Sequence, residues 1–255
     1  MSDSVVIYGT PEEMATEAVE RFITFSNGMI AATGTCVVAL TGGRVVNLLF
    51  ALMGEDVYRE RIDWENILFL WAEERFVSHA DEASRYGRAK AALFGKLSGA
   101  CHVYPVPVDG CTVEEAALDY DAEVKNVLRG CAKRHPDLLI GGIGDDGHVA
   151  GLFARSASLR ETAFAVTAVT DGKIWDRVTM TIPFLSTVPT VWFLVAGESK
   201  RAAAARVLRQ REDYEDEHWE SRIDRVLPAA VLPQDVHWFI DAAATGDEAK
   251  WIRNT

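Results

Sequence analysis

Residues 141–153 read GGIGDDGHVAGLF and follow the apolar Leu138, Leu139 and Ile140 directly. Asp146 and His148 stand two positions apart, so an extended backbone projects both side chains to the same side, where a carboxylate can orient an imidazole and raise its basicity. That pairing suits proton transfer near neutral pH. Gly144 and Gly147 flank the first aspartates and the histidine. Glycine tolerates positive φ and lets a ligand come close to the main chain, so both can support the loop or an oxyanion. The competing structural reading is an Asp-Gly turn followed by a histidine that caps a helix starting near Val149.

Three other short segments carry charge or glycine immediately after an apolar run. In Thr41-Gly42-Gly43-Arg44, the glycines let backbone N–H groups converge on an anion at the positive end of the following helix, and Arg44 adds a cation. A tight β-to-α turn is the plainer alternative. In Glu73-Glu74-Arg75, the arginine can hold a carboxylate or phosphate through two parallel hydrogen bonds, with a glutamate beside it fixing the guanidinium, and Glu74 can support the loop or an oxyanion. The alternative there is a surface ion pair of little energetic weight. Lys200, after Gly197-Glu198-Ser199, sits at a helix N-terminus, which disfavours a cation and hints at an anionic guest.

The elements that must position these residues alternate along the chain. Apolar, β-branched runs at 4–8, 35–40, 67–71, 101–106, 137–143, 191–196 and 237–241 read as strands, with further strands at 163–168 and 178–182. Helices are expected at 11–27, opened by Thr10 as N-cap and Pro11 at the first position, and at 45–53, 83–97, 113–133 and from 198 to about 209. Strands without alternation, each feeding a helix, imply a mainly parallel sheet with helices on both faces. In such a sheet, ligands bind beyond the carboxyl ends of the strands. All four charged or glycine-rich segments fall there. The charged stretch 211–222, REDYEDEHWESR, is expected to be a solvated helix face or loop.

Composition narrows the partners. With 255 residues, 49% of them hydrophobic, the chain can bury a sizeable core, and one domain over 1–255 is expected. A net charge of −12 and a pI near 5.0 argue against nucleic acid, which needs clustered Lys and Arg in excess. A small anion held by local cations remains compatible. No apolar run approaches the roughly 20 residues needed to span a bilayer, and MSDSVVIYGT lacks a basic segment followed by an apolar one, so no membrane partner and a cytoplasmic location are expected. Cys36, Cys101, Cys111 and Cys131 lack zinc-site spacing and read as reduced thiols.

Taken in order, TGG, WAEER with S-R-Y-G downstream, DLLIGGIGDDGHVAGLF, RVTMTIPFL, VWFLVAGESK and VHWFID resemble the 6-phosphogluconolactonases, from about residue 36 to 241. The specific element is G-x-G-x-D-G-H-x-A-x-L-F. The resemblance implies a Rossmann-like α/β sheet, shared with glucosamine-6-phosphate deaminases and ribose-5-phosphate isomerases. It also implies hydrolysis of 6-phosphoglucono-δ-lactone in the oxidative pentose phosphate pathway, without a cofactor; no metal is expected, and the chain is expected to be a monomer or small homo-oligomer. By position, His148 corresponds to the catalytic base and Asp146 to its orienting carboxylate. Arg75 and Lys200 correspond to the cations for phosphate or oxyanion, with Gly42 and Gly43 offering N–H groups. Three segments depart from the family pattern: Arg44-Val45-Val46 replaces Ser-Thr-Pro, Glu73 replaces an aspartate, and Arg85 precedes Tyr86 where asparagine is usual, adding a further possible phosphate partner. Two alternatives belong beside this. One is a glucosamine-6-phosphate deaminase, whose N-E-P after G-H-I-A-F is here Leu152-Phe153-Ala154. The other is a non-catalytic sugar-phosphate-binding regulator.

Overall fold

The apolar runs pair into a seven-stranded sheet in which every neighbouring pair is parallel. The strands are β1 (Ser4–Tyr8), β2 (Cys36–Leu40), β3 (Ile67–Trp71), β4 (Glu73–Arg75), β5 (His102–Tyr104), β6 (Leu138–Gly141), β7 (Val166–Val169), β8 (Arg177–Met180), β9 (Thr190–Val195) and β10 (Val236–Asp241). Across the seven-stranded sheet their order is β1-β10-β9-β6-β2-β3-β5. This computed structural model describes residues 3–97, 99, 101–171, 174–214, 217–232 and 234–245. Every residue of β2, β3 and β6 is buried, which requires cover on both faces and explains why these strands read as continuous apolar runs. All four cysteines are free thiols.

The helices follow their local signals, with one instructive exception. Thr10 caps Pro11–Thr33 by accepting from the Glu13 N–H at 3.1 Å. That helix runs through Asn27 and Gly28, where the sequence suggests a stop, because Met29 and Ile30 pack on the core, and it ends at Gly34 in the left-handed conformation (φ +84°). Thr112 and Glu115 close a reciprocal capping box on Val113–Gly130. Ser84 caps the short helix Arg85–Ala92. Among the described residues, no helix is long and apolar enough to cross a membrane.

The chain runs outward from β2 through β3 to β5, then returns to lay β6 on the other side of β2, with β9, β10 and β1 beyond. The direction of winding therefore reverses between β2 and β6. The loops after these two strands diverge there and leave a crevice at their carboxyl ends.

A second, three-stranded antiparallel sheet, β4-β8-β7, stands beside that crevice. Glu73-Glu74-Arg75, expected as a loop, is its edge strand. Ala72 joins the two sheets: its N–H donates to Leu40 in the parallel sheet at 2.7 Å, and its carbonyl accepts from Met180 of β8 at 2.9 Å. No helix starts near Val149, because residues 143–152 are held instead by isolated bridges, Ile143 with Val149 and Val149 with Leu152. The stretch 211–222 is also not simply solvated. Arg211 is buried in an ion pair with Asp3 at 2.6 Å, and Arg222 is buried against the Tyr214 and Val231 carbonyls. Residues 215–216 of that stretch lie outside the described residues.

Candidate active site

The loops after β2, β6 and β9, together with β4 and the start of helix Arg85–Ala92, enclose an open cavity of about 520 Å³. Gly42, Gly43, Arg44, Arg75, Arg85, Gly144, Asp146, His148 and Lys200 all line it. Gly147 and Glu74 do not. The lining includes four cations, Arg44, Arg75, Arg85 and Lys200, against three carboxylates, Glu73, Asp145 and Asp146, so it is locally positive in a chain of net charge −12.

The histidine loop is built around two glycines. Gly144 N–H donates to the His148 carbonyl at 2.8 Å and Gly147 N–H to the Gly144 carbonyl at 2.9 Å, folding 144–148 into a tight turn. The imidazole Nδ1 then lies 2.5 Å from Asp146 Oδ1, and the same oxygen accepts from the His148 N–H at 3.2 Å. With Nδ1–H donated to the carboxylate, Nε2 is the basic nitrogen. The hydrogen bond to His148 holds the Asp146 carboxyl well below the usual carboxylate range. A Cβ on Gly144 would collide with both His148 Nδ1 and Asp146 Oδ1, so only glycine admits the pair. Gly147 (φ +79°) is left-handed and packed on Leu227, outside the cavity, which makes it a support of the turn and not a ligand group. The imidazole also rests on Phe153, with ring centroids 4.5 Å apart.

The pleat of β4 separates its charges. Glu73 and Arg75 point to the cavity, and Glu74, between them, points away. Glu74 therefore does not hold the Arg75 guanidinium, as adjacency suggests. Its buried carboxylate accepts from the Arg75, Arg85 and Tyr86 N–H groups (2.7, 2.7 and 2.8 Å) and from Ser84 Oγ at 3.0 Å, pinning the start of helix Arg85–Ala92. Burial nevertheless raises its pKa. Arg75 donates to the Ala83 carbonyl at 3.1 Å and stacks over Trp175, 4.1 Å from the ring centroid, while its Nε is buried without a protein partner. Burial, and then repulsion from Arg85, push its pKa down to about 10. A partly desolvated cation among like charges is stabilised by an incoming anion.

Glycine 42 serves a use the sequence does not disclose. A Cβ there would overlap the Arg85 side chain, so the stem of Arg85 lies on the Gly42 backbone. Gly43 (φ +151°) precedes helix Arg44–Met53, whose N-terminus has no side-chain cap, leaving its first N–H groups for an anion. Lys200 ends a single 3₁₀ turn, Glu198–Lys200, ahead of helix Arg201–Asp213, and its Nζ lies 2.7 Å from Asp145. Asp145 is thus a site residue that the sequence reading leaves unassigned. Two more are Arg177, paired with Glu73, and Asp241, which accepts from the Gly197 N–H at 3.0 Å and so fixes the turn leading to Lys200. The arginine that opens RVTMTIPFL and the acid that closes VHWFID are the only sequence signals for them. Among the described residues, no group of three or more His, Cys, Asp or Glu is placed to hold a metal ion.

A family model described as "Glucosamine-6-phosphate isomerases/6-phosphogluconolactonase" matches residues 9–238. The 6-phosphogluconolactonase of Streptomyces coelicolor is 32% identical over 220 residues, covering 82% of this chain and 84% of that protein. "Probable 6-phosphogluconolactonase 2" of Oryza sativa subsp. indica is 28% identical over 259 residues, covering 95% and 89%. In fold, the chain is similar to the crystal structure of 6-phosphogluconolactonase from Thermotoga maritima, with a TM-score of 0.77 over 94% of this chain and 100% of that one at 22% identity.

Proposed function

The chain belongs to the glucosamine-6-phosphate isomerase and 6-phosphogluconolactonase family, and from that premise we propose that it hydrolyses 6-phosphoglucono-δ-lactone to 6-phosphogluconate in the oxidative pentose phosphate pathway. The observation that carries this reading is the Asp146–His148 pair facing a cavity with an excess of cations. His148 Nε2 takes a proton from water as its oxygen bonds to the lactone carbonyl carbon. The resulting oxyanion and the 6-phosphate are held by Arg44, Arg75, Arg85, Lys200 and the N–H groups of Gly42 and Gly43. When the bond from that carbon to the ring oxygen breaks, the imidazolium returns the proton to the ring oxygen. Asp146 keeps the imidazole in the tautomer this needs and stabilises the transient cation. A δ-lactone is already activated, so about 10²- to 10⁴-fold from general-base assistance, with charge stabilisation and positioning added, suffices. Neither a covalent nucleophile nor a cofactor is part of the proposed cycle.

The deaminase alternative needs a carboxylate after the histidine loop. At that place stand Leu152 and Phe153, both buried apolar side chains. A regulator would bind the sugar phosphate without turning it over. We take the chain to act in the cytoplasm as one domain, alone or as a small homo-oligomer. The test is a coupled assay in which glucose-6-phosphate dehydrogenase generates the lactone and its disappearance is compared with the spontaneous rate. Acceleration proportional to protein concentration is expected. A rate equal to the spontaneous one, with phosphosugar still bound, would replace this reading by the regulator.

A further inference from the structure

We propose that Glu73 is a positioning residue that fixes the Arg85 guanidinium at the cavity and thereby sets the preference for phosphorylated over unphosphorylated lactones. This rests on the lactonase reading above. Glu73 is 1% exposed, yet it lines the cavity. Its Oε2 lies 3.1 Å from Arg85 Nε, and its other oxygen, Oε1, pairs with Arg177. Burying a carboxylate so completely is costly unless well-placed cations offset it. Burial acts to raise the Glu73 pKa, but Arg85 and Arg177 outweigh it and keep the group ionised.

The pair also fixes geometry. Only Nε of Arg85 is engaged, and among the described residues neither of its terminal nitrogens has a protein partner. The stem is laid against the side-chain-free Gly42. Held at both places, the guanidinium presents its remaining N–H groups to the cavity, a planar fork suited to a phosphate and without a counterpart on a neutral sugar. One carboxylate shared between two guanidiniums leaves net positive charge at that wall. The two departures from the family pattern at 73 and 85 are therefore one interacting unit.

The test compares wild type, E73Q, R85Q and the double variant by the ratio of kcat/KM for 6-phosphogluconolactone over glucono-δ-lactone. Each single change is expected to lower this ratio about tenfold, mainly through KM for the phosphorylated substrate, as expected for losing a charge-assisted hydrogen bond. The double variant should match R85Q within about twofold, because Glu73 acts through Arg85. Wild-type selectivity in E73Q, or losses that add in the double variant, would overturn the proposal. Should E73Q fail to fold, E73D keeps the charge with a shorter reach and should fall between wild type and R85Q, and full wild-type selectivity in it would count against the proposal. Calorimetric titration with inorganic phosphate separates this from the functional reading. Weaker phosphate binding in E73Q and R85Q supports the Glu73 placement even if the lactone is not turned over, and equal binding in all variants defeats it.

Discussion

His148 Nδ1 and Asp146 Oδ1 meet 2.5 Å apart directly over the Cα of Gly144. The acid–base pair and the glycine beneath it form one unit: the turn that brings the two side chains together leaves no room for a third. Gly144→Ala should therefore lower lactone hydrolysis by at least about a hundredfold through misplacement of the imidazole, with the fold retained. Steady-state kinetics beside circular dichroism would check this, and near-normal kcat in a folded variant would contradict it.

Asp146→Asn should slow turnover about tenfold or more, because the imidazolium formed during the reaction loses its counter-charge. Its effect on stability has a defined sign. The folded Asp146 carboxyl sits below its ordinary value of 3.8, so its contribution is whole above that pH and fades as the pH falls toward the folded value. The side chain is 58% exposed, which limits the contribution to no more than about 1 kcal/mol. The Tm of wild type should exceed that of the variant at pH 7, and the gap should begin to close only as the pH falls below about 4. A gap that widens on acidification would refute the assignment.

Arg75→Ala should raise KM for the phosphorylated lactone about tenfold or more, with a smaller change in kcat. Added salt should raise the wild-type KM more steeply than that of the variant, since screening acts on the charge that the variant lacks. Parallel salt dependence would place Arg75 outside the anion site.

Asp145 holds Lys200 Nζ at 2.7 Å, and on the proposed reading it competes with substrate for that cation. The carboxylate is 64% exposed, so the pair is weak, and Asp145→Asn should lower KM for the phosphorylated lactone by no more than about threefold. Competitive inhibition by inorganic phosphate should strengthen in parallel. A rise in KM would mean that Asp145 positions Lys200 and does not restrain it.

The parallel sheet was legible because β2, β3, β6 and β9 are unbroken apolar runs that end in glycine or charge, and the convergence of their loops follows from that topology. The partnerships inside the site were not. Glu74 looks like the natural holder of Arg75, but the pleat of β4 sends adjacent side chains to opposite faces, and β4 itself, three charged residues long, carries no apolar strand signal. Glu73 finds Arg177, which lies 104 positions away, through an antiparallel pairing that no local pattern announces. The role of Gly42 in seating Arg85 depends on a side chain 43 residues on and shows only in three dimensions.

The proposed catalysis turns on His148 Nε2 taking the proton from the attacking water. Its most direct test is the rate of 6-phosphogluconolactone disappearance, above the spontaneous background, in His148→Ala against wild type. A loss of about 10²-fold or more in kcat is expected, with inorganic phosphate affinity retained. An unchanged kcat in a folded His148→Ala protein would contradict it.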